Sequence, residues 1–504
     1  MQTKFPFAGI TPAEQEQLSL DHLLDYVRQT IDRYHPYYRK LFRDKGISPS
    51  DLRTYEDFRK IPITYKADIV ANQSDFTLMP RYPGAAETHD AEEASPELMA
   101  RYRAASGGNS RDIFGLRPEE ERVREQFLLD WRPIHFQMSG GTTGKAVVTG
   151  YTHTDVFDRF SRSGVWWYSL NTTLTQDDKW LNLLPAAPHL AIYATMLIPL
   201  MQGQPNFNTF GGKVTPTEKQ ILLASEDDYN VVIALPSYLM HWLRTAVAMR
   251  KAGRIGPIRT FRAAYCIGEP ITDAYRKLLK GLFAEIGSET VSVVEGMSST
   301  ELRTTGFYEC AEGSKLHLDP SGIFAEILDP ETLDPVEPGQ PGMFVWSHIG
   351  WHGTAILRYW TGDYVSGGMQ WGTCPHCKVT IPRLITPIWR ADKDETKIRG
   401  TRVEAVRLLD AVRSADGVNT FQIVLRKLDP LDPFSRDVID VTVSVHAGTD
   451  ENSVAESIRR RVVQETELTP DIISFASAGE VEERLFAKKL KAEWLLDERP
   501  ELRG

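Results

Sequence analysis

Apolar residues recur at helical spacing through the first seventy positions. In "TPAEQEQLSLDHLLDYVRQTIDRYHPYYRKLFRDKG" they predict amphipathic helices, with Gly46 as a stop. From about Ala71 to Arg132 the pattern weakens. "PRYPGAAETHDAEEASPE" and "ASGGNSRD" read as a surface insertion containing one helix, "RPEEERVREQFLLD". Beyond Arg132, apolar runs alternate with helical patterns. "KWLNLLPA" precedes "HLAIYATMLIPLMQG", "NVVIALP" precedes "SYLMHWLRTAVAMRKAG", and "FRAAYCIG" precedes "TDAYRKLLKGLFAEIG". That alternation predicts an α/β fold with mostly parallel sheets. Between about 308 and 383 the text turns to short strands and Pro/Gly turns, a small β-rich subdomain. After "KIRG" the order helix, strand, strand, helix, strand predicts a compact α+β domain, with a boundary near Asp392. The expected domains are therefore 1–391, with an insertion at 71–132 and a β-rich subdomain at 308–383, and 392–504.

Composition narrows the class. The 504 residues are 41% hydrophobic and 25% charged, ordinary for a globular protein, and long enough for more than one core. A net charge of −10 without a basic run argues against a nucleic-acid partner. The N-terminus lacks the apolar stretch of a signal peptide, and no window approaches 18 consecutive apolar residues, so no membrane partner is expected. Four cysteines in such a chain are no disulfide framework, which points to a cytoplasmic location.

The segment "FQMSGGTTGKAVVTGYTHTD" (Phe136–Asp155) carries the first chemistry. A Walker A loop is excluded: only three residues separate Gly140 from Gly144, and Lys145 is followed by Ala146 rather than a hydroxyl. What remains is Ser139, Gly140, Gly141, Thr142, Thr143, Gly144 and Lys145, whose backbone N–H groups can form an anion-binding concavity. Glycines let such a backbone close over phosphates. A flexible turn between strands is the other reading.

That segment resembles the phosphate loop of the adenylate-forming superfamily of acyl- and aryl-CoA synthetases, most closely the phenylacetate–CoA ligase family. "YYRKLFRDKGISPSDLRTYEDFRKIPITYKADI", "FGGKVTPTEKQI", "LPSYLM", "CIGEP", "EGMSSTE", "FYECAEGSKLHLDPSGIFAEILDPETLDPVEPGQPG", "LRYWTGD" and "KIRG" follow in the family's order, outside the insertion. The resemblance implies a large N-terminal adenylation domain and a small mobile C-terminal lid. It also implies an enzyme that joins a carboxylic acid to AMP from ATP and then to coenzyme A, releasing AMP and pyrophosphate. In such chemistry the protein positions reactants and neutralises growing charge.

The same resemblance assigns roles. The Ser139–Lys145 loop would hold the β- and γ-phosphates. Thr300 would contact the α-phosphate, and Glu301 would hold Mg²⁺. Met297 stands where many relatives carry an aromatic residue over adenine, and a thioether can also cover a purine face. Gly268, Glu269 and Pro270 would line the adenine edge. Asp363 would accept the ribose hydroxyls, and Arg390 would lie near the ribose and α-phosphate. Asp392 is the implied hinge, and Lys397 and Arg399 are candidate contacts for coenzyme A. The catalytic lid lysine falls at Lys488, beside Ala487 where a glycine is usual, with Lys489 and Lys491 as rivals. A basic amphipathic helix on a solvated face is the other reading of that segment.

Two further sets complete the picture. Cys374 and Cys377 form a C-x-x-C knuckle, and with Cys310 and His317 they supply a Cys₃His set suited to structural Zn²⁺, as in some relatives. A buried, unliganded cluster is the alternative. His376 reads as a bystander and Cys266 as a core residue. His189, Tyr193, Ser237 and Tyr238, with Trp242 further off, are candidate lining residues for an aryl or arylacetic acid, although such aromatic helices also serve core packing. Two other functions stay open: transfer of the acyl group to a carrier-protein thiol or an amine, and a non-catalytic binding homologue.

Overall fold

The computed structural model describes residues 10–499 apart from 88–89, 107–115, 140–145, 163–171, 186–188, 192, 304–305, 391–394, 400, 431, 433–434 and 487–491. The chain forms two compact units: Met1–Phe210 with Val294–Thr386, and Gly211–Val293 with Pro387–Gly504. Both mix helices with strands, as the α/β reading expects.

In the first unit the opening helix, Pro12–Tyr26, begins with a capping box. The Thr11 hydroxyl accepts from the Glu14 N–H while the Glu14 carboxylate accepts from the Thr11 N–H, and proline occupies the first turn. The helix Pro36–Lys45 ends at Gly46, whose φ of 65° lets the Ile47 N–H reach the Phe42 carbonyl at 2.9 Å. Gly46 is thus the stop that the sequence suggests.

The insertion holds two long helices rather than one, Pro96–Ser106 and Glu119–Trp131. The unforeseen helix buries only Met99, Tyr102 and Ser106, a stripe too thin to stand out in acidic, alanine-rich text. It is pinned by polar side chains: the Trp131 indole donates to the Tyr102 hydroxyl at 2.7 Å, which donates to Asp130 at 2.7 Å. The segment "HLAIYATMLIPLMQG" also differs from expectation, giving a π-helical stretch, Tyr193–Leu197, and a short helix, Ile198–Met201, instead of one regular helix.

The strands of the first unit position its polar groups. Ile323–Leu328, Gly342–His348 and Tyr359–Val365 pair antiparallel, with an irregularity between Met343 and Val345. Gly342–His348 is buried throughout. Tyr359–Val365 alternates, and its buried positions are Tyr359, Thr361, Asp363 and Val365. The period of two therefore turns the Asp363 carboxylate inward.

In the second unit, Val231–Ala234 and Ala263–Ile267 pair in parallel and are buried at every position, so both lack a polar face. The helices Pro236–Lys251 and Asp273–Ile286 follow them. The C-terminal part pairs Val418–Lys427 antiparallel with Asp437–Val445, and Ile472–Phe475 and Leu495–Asp497 add parallel edges. Leu408, Val412, Ile423, Val441, Ile458 and Val462 belong to its own core. Among the described residues no helix is long and apolar enough to cross a membrane.

Candidate functional site

The segment expected to bind phosphate is mounted on a hairpin. Strand β1 (His135–Met138) pairs antiparallel with β2 (Val148–Tyr151). Ser139 closes the base: its N–H donates to the Val147 carbonyl at 2.9 Å, and its hydroxyl accepts from the Val147 N–H at 3.0 Å. Gln73 clips the returning strand, donating to the Ala146 carbonyl at 2.9 Å and accepting from the Val148 N–H at 3.2 Å. Gly140, Gly141, Thr142, Thr143, Gly144 and Lys145 lie outside the described residues. On the back of the hairpin, Phe136 and Val148 line a cavity of about 500 Å³ with Phe127 and Trp131. None of the residues expected to receive the acid lines it.

The strand Ser292–Met297 ends at a half-buried Met297, and the turn beyond it buries both Thr300 and Glu301. Gly306 closes this turn with φ at 113°, where a Cβ would come within 2.7 Å of the Met297 carbonyl. Asp363 is 9% exposed, and its N–H donates to the Thr361 hydroxyl at 2.9 Å. Sequence reasoning passed over two neighbours of these elements, Asp155 and Arg303. They form an ion pair at 2.6 Å with no exposed side-chain surface on either partner. Burial works to raise the Asp155 pKa, but Arg303, His352 and backbone N–H donors outweigh it and hold the carboxyl at about 2. Its only sequence signal was an acid at the end of "TGYTHTD" and an arginine directly after "STEL".

His189, also in the first unit, is half-buried, and its Nδ1 accepts from the Ala191 N–H at 3.2 Å. Tyr193 lies in the π-helical stretch, and its side chain is outside the described residues.

In the second unit Ser237 opens the helix Pro236–Lys251. Its N–H and hydroxyl donate to the two oxygens of Glu269, each at 2.9 Å. The Glu269 carboxylate therefore caps a helix N-terminus, where negative charge is favoured. Gly268 and Pro270 flank it and are exposed. Tyr238 meets the Thr217 hydroxyl at 3.0 Å and Gln220 at 3.1 Å, and burial raises its pKa. A Cβ on Gly212 would come within 2.7 Å of that hydroxyl. Trp242 and Cys266 are fully buried.

Arg390 is exposed at the end of Ile388–Arg390. Lys397 belongs to the strand Glu395–Ile398, but its side chain is outside the described residues, as are Asp392, Ala487, Lys488, Lys489 and Lys491. Arg399 is engaged within its own unit. Its Nε donates to the Asp437 carbonyl at 3.0 Å, its N–H to the Asp437 carboxylate at 2.9 Å, and its guanidinium pairs with Asp471. A coenzyme A contact by Arg399 would compete with those bonds.

Cys310, His317, Cys374 and Cys377 converge, each offering one donor atom, with all four within 4.8 Å of one another. Cys310 Sγ lies 3.7 Å from Cys374 Sγ, and Cys377 Sγ lies 3.5 Å from His317 Nε2. Contact with Cys377 and burial push the Cys310 thiol up to about 11. Burial opposes a charged His317, yet Cys310 and Cys374 hold it up at about 9. His376 is exposed and stands outside the cluster.

Comparison with known proteins places the chain in a class. No family model matches it. A crystal structure of 2-hydroxyisobutyryl-CoA ligase in the postadenylation state superposes with a TM-score of 0.71 at 16% identity, covering 98% of this chain and 91% of that one. The same ligase with 2-HIB-AMP and CoA in its thioesterification state gives 0.57 at 16% identity, covering 97% and 91%. The fold is that of the adenylate-forming CoA ligases.

Sequence takes the likeness further, to the phenylacetate-coenzyme A ligases. The Thermus thermophilus enzyme is 26% identical over 475 residues, 88% of this chain and 87% of its own. The Escherichia coli enzyme is 23% identical over 461 residues, 87% and 86% respectively. The resemblance drawn from the motifs is borne out.

Proposed function

We propose that the protein is an AMP-forming acid–thiol ligase acting on an aryl or arylacetic acid. One observation carries the reading: near-full-length similarity to relatives named phenylacetate-coenzyme A ligase. The internal geometry supports it, because Thr300, Glu301 and Asp363 are polar groups held in buried positions at the ends and inner face of strands. A carboxylate oxygen of the acid attacks the α-phosphorus of ATP, and pyrophosphate leaves. The coenzyme A thiolate then attacks the acyl carbon, and AMP leaves with the oxygen that bridged the two.

In this reading Ser139 and the loop to Lys145 hold the outer phosphates, Thr300 the α-phosphate and Asp363 the ribose. Glu301 would hold Mg²⁺, which would neutralise the triphosphate. Met297 with Gly268, Glu269 and Pro270 borders the base, Arg390 the α-phosphate, and Lys488 steadies the reacting carboxylate. His189, Tyr193, Ser237 and Tyr238 belong to the acid pocket, and Lys397 and Arg399 to the coenzyme A contact. Asp392 is the hinge between an adenylation domain, 1–391, and a lid, 392–504.

The Cys₃His cluster fits structural zinc. A tetrahedron with Zn–S near 2.3 Å and Zn–N near 2.0–2.1 Å has S···S and S···N edges of about 3.8 and 3.5 Å; the Cys310–Cys374 and Cys377–His317 separations are 3.7 and 3.5 Å, and all four donor atoms lie within 4.8 Å of one another. The Lys315 carbonyl, 2.9 Å from His317 Nδ1, accepts that nitrogen's proton and leaves Nε2 to face the thiols. Four free cysteines in a chain of this length support a cytoplasmic location.

The test is a panel of carboxylic acids incubated with ATP and Mg²⁺, with and without coenzyme A. Acid-dependent pyrophosphate release followed by a coenzyme A thioester is expected. Release without any thioester would point to a carrier-protein thiol or an amine as acceptor, and no release with any acid would leave only a binding homologue.

A further inference from the structure

Ionised side chains leave water at high cost unless every partner is supplied, so a pair with no exposed surface calls for an explanation. Asp155 and Arg303 are such a pair, separated by 148 residues of sequence. Arg303 follows Glu301 by two positions and adopts φ of 61°, a left-handed conformation uncommon for a side chain of this size. Its guanidinium donates to Asp155 Oδ2 at 2.6 Å and to the Thr354 carbonyl. Its faces lie against two aromatic rings, 4.4 Å from the Tyr151 centroid and 4.7 Å from that of Trp351.

The partners of this pair lead to the hairpin. Asp155 accepts from the Thr152 N–H at 3.0 Å, just after β2, and from His352 and Gly353 at 2.9 and 2.7 Å. Thr354 closes the circuit, accepting through its hydroxyl from the Gly150 N–H at 2.8 Å and donating its N–H to the Gly150 carbonyl at 3.0 Å. Tyr151, which covers the guanidinium, is itself in β2. On the other side the turn is held at Leu302, whose carbonyl lies 3.1 Å from His348 Nε2, while His348 Nδ1 accepts from the Ile356 N–H at 3.1 Å. The bonds of Arg303, continued by those of Asp155 and Thr354, therefore run from the Thr300–Glu301 turn to the strand Val148–Tyr151 and the residue after it.

We propose that Arg303 is a positioning residue for adenylation: paired with Asp155, it fixes the Thr300–Glu301 turn against the hairpin bearing the phosphate loop. It touches no substrate. Its effect is on alignment, to which in-line displacement at phosphorus is sensitive: a misplacement of about 1 Å can cost on the order of 100-fold in rate. The proposal rests on the function given above. A purely structural pair would lower stability and leave the surviving folded enzyme kinetically unchanged, whereas a positioning pair changes turnover.

The full-length chain as wild type, Arg303→Lys, Arg303→Met and Asp155→Asn is compared for thermal midpoint and acid-dependent pyrophosphate release, with kcat and the KM values for ATP and acid separated. Wild-type release must be seen first; if none occurs with any acid, the functional reading fails and not this inference. Given wild-type activity, Arg303→Met should lower kcat at least tenfold with KM for the acid within threefold. Arg303→Lys should restore part of kcat, and Asp155→Asn should resemble Arg303→Met. A folded Arg303→Met or Asp155→Asn with wild-type kcat and wild-type KM for ATP would overturn the proposal. If neither folds, Arg303→Lys decides. A lysine cannot bridge Asp155 and Thr354 in the same way, so kcat should fall at least threefold, and an unchanged kcat would overturn the proposal.

Discussion

A Cβ at Gly353 would lie 2.1 Å from the Gly150 carbonyl and 2.8 Å from an Asp155 oxygen, so this position has no room for any other residue. Gly353→Ala should therefore destabilise the protein by about 3 kcal/mol, read from denaturant unfolding. An unchanged midpoint would show that the hairpin does not approach so closely. Two buried histidines make a second prediction. Burial holds His35 at about 4 and His348 at about 3, so both are neutral in the folded protein at neutral pH. The unfolded chain binds these protons near 6.5, so stability falls as pH drops from about 6.5 through 4. The slope is up to about 1.4 kcal/mol per pH unit for each histidine. Stability independent of pH across that range would contradict both assignments. At this scale sequence was least informative: neither Asp155 nor Arg303 stands out in the text, because their meaning depends on a meeting 148 residues apart.

Single elements carry their own expectations. The knuckle Cys374–Cys377 turns back on itself, with the Cys374 N–H on the Val379 carbonyl at 2.9 Å and the Lys378 N–H on the Cys374 carbonyl at 3.0 Å. Freshly purified protein should contain one zinc per chain by elemental analysis. Cys377→Ser should remove it and cost several kcal/mol of stability, of the order expected for a structural site; zinc absent from the wild type would end the proposal. Arg413, at the end of the helix Ala405–Arg413, is enclosed by Tyr275, Trp494 and Phe421 at 4.4, 5.4 and 5.6 Å. Arg413→Met, which keeps bulk and removes charge, should cost about 2 kcal/mol in denaturant unfolding. Elements with strong punctuation were legible, as at Gly46. Those whose apolar stripe is thin, such as Pro96–Ser106, or whose helix is π-wound, such as Tyr193–Leu197, were not, because polar contacts and local winding decide them.

Across the whole molecule, the α/β alternation and the terminal α+β arrangement follow from periodicity, while the order of the motifs carries the resemblance to the adenylate-forming ligases. The residues 211–293 cluster with 387–504, and within that unit Arg244 pairs with Glu482 at 3.1 Å, a tie between segments that no local pattern announces. In the proposed chemistry the lid lysine is Lys488, and Lys488→Ala should lower adenylation about 100-fold while ATP still binds; unchanged adenylation would shift the role to Lys489 or Lys491. The most direct test of the whole account follows an oxygen atom. With a substrate acid labelled with ¹⁸O in both carboxylate oxygens, attack on the α-phosphorus and release by coenzyme A should leave one ¹⁸O in AMP. Label appearing in inorganic phosphate, or AMP formed without label, would contradict it.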